Sequence, residues 1–212
     1  MNLPKATPDA AAGLADEVRQ AILRCADVKR QFAHDVAGDV ALAALITAQA
    51  LGNECKVLLC GNGGSAAEAQ HICAEFVGRF RLERPALAAL ALTTDTSILT
   101  SVGNDYGFDE VFARQVEALG QPGDVLFAYS TSGNSPNVLK AIEEAHLRRM
   151  RCIGFTGRDG GAMADLCEVC IRAPADDTPT VQECHTTAGH TICAIVERLV
   201  CTSNEPDAAS PE

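Results

Sequence analysis

Positive charge is scarce in this chain. Its 212 residues include 17 lysines and arginines against 28 acidic residues, a formal net charge of −11. The cations form no stripe; their densest group is Arg79, Arg81 and Arg84. This balance argues against nucleic acid as a main partner, because such partners select clustered basic residues. No apolar run reads as long enough to cross a bilayer, and the N-terminal Met-Asn-Leu-Pro-Lys-Ala lacks the apolar core of a signal peptide. These absences predict a cytoplasmic protein with no membrane partner. A disulfide framework is missing as well. Of ten cysteines, Cys25, Cys60, Cys73, Cys152 and Cys193 fall inside predicted strands and helices, where reduced cysteine serves as a small buried hydrophobe. Cys167-Glu-Val-Cys170 is a CxxC without a second pair. On a predicted strand its thiols would point to opposite faces, which argues against a shared metal.

What the chain does have is apolar content, 47%, enough for one substantial core. Residues from about Asp9 to Leu51 carry Ala, Leu and Val at helical spacing and predict a pair of helices. Beyond them, short apolar runs at Lys56–Cys60, Leu87–Thr93, Val125–Tyr129, Arg151–Thr156 and Glu168–Ala173 read as strands. Helical patterns lie between, near Ser65–Gly78, Asp109–Leu119, Ser135–Arg149 and Gly160–Leu166, and a last helix spans about Thr180 to Cys201. Such alternation implies parallel pairing through right-handed crossovers. The expected fold is α/β: a doubly wound, parallel five-stranded sheet with flanking helices and an N-terminal helical pair. Residues 1–55 read as a helical extension, 56–202 as the α/β domain, and 203–212 as a disordered acidic tail. The segment Ala41–Leu51 is apolar nearly all round, so it is expected to be buried on more than one side. Packing within one subunit and packing between subunits both satisfy that, and a homo-oligomer is the expectation.

Two turns carry the chemistry. Ser130-Thr-Ser-Gly-Asn-Ser135 follows one apolar run and precedes a helix; Cys60-Gly-Asn-Gly-Gly-Ser65 does the same earlier in the chain. Hydroxyls and backbone N–H groups at a strand-to-helix turn suit a phosphate, and the helix N-terminus adds partial positive charge. Ser and Thr at such a place are equally ordinary helix caps. Neither turn is a Walker A loop, nor does the glycine spacing fit a dinucleotide fingerprint. Both lie at the carboxyl ends of strands, where open α/β sheets bind ligands. The pair points to a small phosphorylated ligand.

His71 and Glu75 lie four apart and share one helical face. That spacing suits metal chelation, a base oriented by its neighbour, or a simple surface pair. Far along the chain, Gln182 and His190 share the last helix, about 12 Å apart along its axis. His185 diverges from His190 by roughly 140° and reads as a helix-surface or interface residue. His34 and His146 read as exposed. Asp95 follows a strand and reads as near the ligand or as a helix cap.

Taken together, Gly61-Asn-Gly-Gly-Ser65, His71…Glu75, Gly103-Asn-Asp-Tyr-Gly107, Ser130–Ser135 and Gln182-Glu-x-His-x-x-x-x-His190 resemble the phosphoheptose isomerases, single SIS (sugar isomerase) domains. The resemblance spans about Lys56 to Val200. It implies a flavodoxin-like sandwich, a homotetramer with sites shared between subunits, and conversion of sedoheptulose 7-phosphate to D-glycero-D-manno-heptose 7-phosphate for bacterial surface polysaccharide. It further implies that Ser130, Thr131, Ser132 and Ser135 hold the phosphate, with Asn62, Gly63, Gly64 and Ser65 lining the same site. Asn104, Asp105 and Gln182 would contact the sugar. In zinc-containing relatives the positions matching His71, Glu75, Gln182 and His190 bind the metal, one ion per subunit.

The residue types fit that chemistry. Moving a carbonyl between C2 and C1 requires a proton to leave one carbon and reach its neighbour, which a carboxylate can do through an enediol. Glu75 is the candidate base. Imidazole titrates near neutrality and can exchange protons with sugar oxygens, which makes His190 the candidate acid. Zinc would polarise the developing oxyanion or fix the site's shape. One departure stands out: relatives often carry a basic residue two before the Gln, and this chain has Thr180. Two other readings remain open at this level. One is a non-catalytic SIS regulator or replication-initiator adaptor; the other is an isomerase of a different sugar phosphate.

Overall fold

The computed structural model describes residue 3 and residues 5–202. The acidic tail assigned to 203–212 lies outside the described residues.

The chain begins in one helix rather than two. α1 runs unbroken over Pro8–Gly52, roughly 67 Å at 1.5 Å per residue. Thr7 caps its start by accepting from the Ala10 N–H, and Pro8 occupies the first turn. No proline interrupts the next forty residues, and Gly38 alone does not stop a helix. By length and composition one stretch of α1 could cross a bilayer, contrary to the sequence expectation. Phe32, Val36, Val40, Ala43, Ala44, Ile46, Ala50 and Leu51 instead turn inward against the α/β body. The other side of the Ala41–Leu51 segment stays open, with Leu42 and Leu45 about half exposed.

Five strands follow: β1 (Val57–Gly61), β2 (Ala89–Ala91), β3 (Val125–Tyr129), β4 (Arg151–Thr156) and β5 (Val169–Arg172). All pair in parallel, in the order β2-β1-β3-β4-β5. This is the flavodoxin-like order, whose switch point falls between β1 and β3. Strand alternation splits the apolar side chains between two layers. Val57, Leu59, Val125, Phe127, Tyr129, Ile153 and Phe155 face one core, with α1, α2 (Gly64–Val77) and α7 (Thr178–Thr202). Leu58, Cys60, Leu126, Ala128 and Cys152 face the other. That second layer holds α3 (Thr96–Asp105), α4 (Ala113–Leu119), α5 (Pro136–Leu147) and α6 (Met163–Leu166). Burying each such aliphatic or aromatic side chain contributes about 1.5–3 kcal/mol, and this sets the register.

Register also places the site. Gly61 lies opposite Tyr129, the last residue of β3. The two hydroxyl-bearing turns therefore leave the sheet side by side.

Several elements differ from their expected bounds. β2 keeps three residues at the sheet edge, where one neighbour holds it. α3 is not expected from its Ser- and Thr-rich sequence; the Asp95 carboxylate caps it at Ile98 N–H, and Leu99 and Val102 pack on the second core. The helix expected from Asp109 begins as a 3₁₀ turn, Phe108–Glu110, before α4. Cys167 ends α6, so only Cys170 of the CxxC lies on a strand. All ten cysteines are free.

Candidate active site

Ser135 occupies the N-cap position of α5 but makes no side-chain capping bond. Its hydroxyl lies 2.8 Å from Ser130 Oγ, and Ser132 Oγ lies 3.4 Å from the same atom. The Ser130, Ser132 and Ser135 hydroxyls thus face one another within the turn instead of capping α5, and Ser132 Oγ accepts from the Asn134 N–H at 3.2 Å. The N-terminus of α2 likewise has no side-chain cap. Gly63 there takes φ +54°, a conformation that disfavours any side chain. Asn62 and Asn137 lock the two turns together through reciprocal amide bonds of 2.8 and 2.9 Å. Two helix N-termini without side-chain caps, beside a cluster of hydroxyls, offer the kinds of donor that suit an anion.

α2 and α7 lie side by side along one face of the sheet, and their contact carries the polar groups. At the α2 N-terminus, Gly64 lies so close to the Gln182 amide that a Cβ there would collide with it. Two turns further, His71 Nε2 and His190 Nε2 stand 2.7 Å apart, so one ring donates and the other accepts. Glu75 Oε1 is 4.0 Å from His71 Nδ1. Ligand atoms of His71, Glu75 and His190 all lie within 4.8 Å of one another. His190 also packs its ring on Phe80, with centroids 5.4 Å apart. Two imidazoles and a carboxylate converging in this way fit a zinc ion by donor type and spacing. Gln182 lies on the same seam, about two turns from His190, where its amide meets Gly64 at the start of α2.

Asn104 and Asp105 are not gathered in. They sit exposed at the end of α3, bonded to each other at 2.7 Å. Among the described residues neither hydrogen-bonds to the two turns or to the histidine cluster. Thr131, half-buried, accepts from Gly157 N–H through its carbonyl. Thr180 donates its backbone N–H to Asp177, whose carboxylate caps the start of α7 and is held below its usual range first by the Thr180 hydroxyl and then by that N–H.

His185 is the main correction. It is not on the surface: it is 1% exposed, packed by Tyr129 and Phe155, with Nε2 3.1 Å from the Thr156 carbonyl. Burial pushes its imidazole down to about 4, against the opposing bond to Thr156. His34 is exposed; His146 is exposed and bonds the Leu166 carbonyl.

A family model described as SIS domain matches residues 23–157. The phosphoheptose isomerase of Rhodospirillum rubrum is 51% identical over 189 residues, 89% of this chain and 100% of that protein. The chain belongs to the phosphoheptose isomerase family of SIS-domain proteins. A Burkholderia pseudomallei (strain 1710b) phosphoheptose isomerase is 59% identical over 145 residues, 68% of this chain and 74% of its own length. The solved phosphoheptose isomerase of Neisseria gonorrhoeae superposes with a TM-score of 0.83 at 44% identity, covering 87% of this chain and 99% of that one.

Within this family member, three site-forming groups escape a reading of the sequence. Glu68 lies between the cup and the histidines, with Oε2 2.7 Å from Thr186 Oγ1 and Oε1 without a hydrogen-bond partner among the described residues. Burial raises its carboxyl above the ordinary range, against Thr186, His71 and His190. Arg84 and Glu197 form a fully buried ion pair at the other end of the seam. A signal existed: Glu68 falls in the buried stripe Ser65, Ala69, Ile72, Phe76, and Glu197 in Ile192, Cys193, Val196. An acid on an apolar stripe needs a partner or a purpose.

Proposed function

We propose that this protein is an aldose–ketose isomerase converting D-sedoheptulose 7-phosphate to D-glycero-D-manno-heptose 7-phosphate in bacterial heptose biosynthesis. The observation that carries this reading is the meeting of Glu75 and His190, 115 positions apart in sequence, beside an anion cup of hydroxyls and helix N-termini.

Ser130, Thr131, Ser132 and Ser135, with Asn62, Gly63, Gly64 and Ser65, hold the phosphate by neutral donors. This explains how an acidic chain can bind an anion. Gln182 extends along α7 toward the sugar. Glu75 takes the proton from C1 of the ketose and returns it at C2, so hydrogen shifts with no net oxidation. His190 exchanges the proton between the two sugar oxygens as the enediol forms and collapses. His71 accepts or donates against His190 and so holds its ring and tautomer. His71, Glu75, Gln182 and His190 would hold zinc, one per subunit; when bound it supplies Lewis-acid stabilisation of the developing oxyanion. Asn104 and Asp105 contact the sugar of a neighbouring subunit's site in this reading, consistent with their exposure here. The assembly proposed is a homotetramer in the cytoplasm, supported by exposed Leu14, Val18 and Ile22 on the outer half of α1.

The test is incubation with sedoheptulose 7-phosphate in deuterated water, followed by NMR. Aldose should accumulate with deuterium at C2. A protein that binds the ketose tightly and never converts it would be a regulator instead, and the proposal would fall. Metal analysis of untagged protein should find about one zinc per chain.

A further inference from the structure

Outside the reacting groups, Arg84 and Glu197 form a buried polar cluster. Each side chain is 2% exposed. Glu197 lies on α7, seven residues and so two turns beyond His190, on the same side of the helix. Its carboxylate accepts from Arg84 Nε at 3.0 Å and from three successive backbone N–H groups: Phe80 at 3.1 Å, Arg81 at 2.8 Å and Leu82 at 3.0 Å. Arg84 spends its remaining donors on the end of α2. One terminal nitrogen donates to the Glu75 carbonyl at 2.8 Å; the other reaches the Phe76 carbonyl at 2.9 Å and that of Pro85 at 3.0 Å. The carbonyls of a helix's last turn lack intrahelical partners and carry partial negative charge, so a guanidinium there is both cap and counter-charge.

We propose that Arg84 and Glu197 are positioning residues for the isomerase site. They tie the backbone of Glu75 to the helix that carries His190, and they hold the Phe80 ring against that histidine. The inference rests on the function proposed above. Stability alone does not account for the pair: apolar side chains of similar volume generally stabilise a core as well as a buried ion pair does. What apolar replacements cannot do is bridge the Glu75 carbonyl, the Phe76 carbonyl and three loop amides simultaneously. A planar guanidinium can; an ammonium, one point charge, cannot span all of them.

The experiment compares wild type, Arg84→Lys, and the double variant Arg84→Met/Glu197→Leu, measuring kcat, KM and Tm with sedoheptulose 7-phosphate. The double variant leaves three loop amides and two α2 carbonyls without these partners, so its Tm should fall; at a temperature where it is still folded, kcat should fall about 10–100-fold while KM stays within about twofold, the penalty of ångström-scale misplacement. Arg84→Lys should show the same split between kcat and KM. A double variant that is folded at the assay temperature and keeps wild-type kcat would overturn the proposal and leave the pair without a role in catalysis. Should the double variant fail to fold, Arg84→Lys decides: a folded form with unchanged kcat overturns it. An inert wild type would instead reject the isomerase reading. The imidazole NMR signals of His71 and His190 would then test positioning by themselves, moved in Arg84→Lys if it holds and unmoved if it does not.

Discussion

Single side chains make the sharpest demands. Glu75→Gln keeps volume and hydrogen bonding but removes the basic oxygen, and His190→Gln removes the titrating ring. Each is expected to fold with a near-native melting curve and to lose turnover by at least about 100-fold, the range of general acid–base contributions. An active Glu75→Gln enzyme would displace the base assignment. His185 tests a different property. In the fold its imidazole stays neutral down to about 4, whereas in the unfolded chain it takes a proton near its ordinary 6.5. Between those values the unfolded state binds more protons, so stability falls as pH drops, by about 3 kcal/mol across the window. His185→Phe should flatten that part of a stability-versus-pH curve while leaving turnover intact. The Thr156 carbonyl keeps its bond from Ala173 N–H, 2.9 Å long, so the replacement strands no acceptor there.

Elements decide which residues can meet. Gly133 sits at φ +65°, and a Cβ there would strike the Gly160 carbonyl oxygen, which is backbone and cannot swing away. Gly133→Ala is expected to distort the Ser130–Ser135 turn, costing about 1–3 kcal/mol and weakening sugar-phosphate binding, measurable by calorimetry. Gly38 is the contrast. It lies inside α1, and a methyl added there would meet nothing within 4 Å, so Gly38→Ala should raise stability by about 0.5–1 kcal/mol in denaturant titration. Similar glycines in sequence have opposite consequences because one is a turn and the other a helix interior. The same lesson applies to α2 and α7. His71 and Glu75 share a face by their spacing alone, yet nothing in that spacing says which helix lies opposite. The Gly64–Gln182 approach and the Glu68–Thr186 bond reveal it.

At the scale of the molecule, the outer half of α1 is the open question of packing. Leu14, Val18 and Ile22 recur every four residues and are 53%, 57% and 64% exposed, a stripe that a second subunit would cover. Light scattering should give a mass several times the 22.2 kDa of one chain, and Val18→Glu/Ile22→Glu should lower it. A protein that is monomeric at micromolar concentration would refute the assembly. The five strands, their parallel sheet and the two hydroxyl-bearing strand-to-helix turns were legible in the residues, although α3 was not. Apolar period and turn chemistry are local properties, and they survive being read one segment at a time. Through resemblance, the run of residues also singled out Glu75 and His190, which the structure brings close together. It did not reveal the unbroken α1, because two helices and one share the same periodicity. Nor did it reveal the burial of His185 or the Arg84–Glu197 clamp. Those depend on which surfaces come together across more than a hundred residues, and only the packed sheet and its helices decide that.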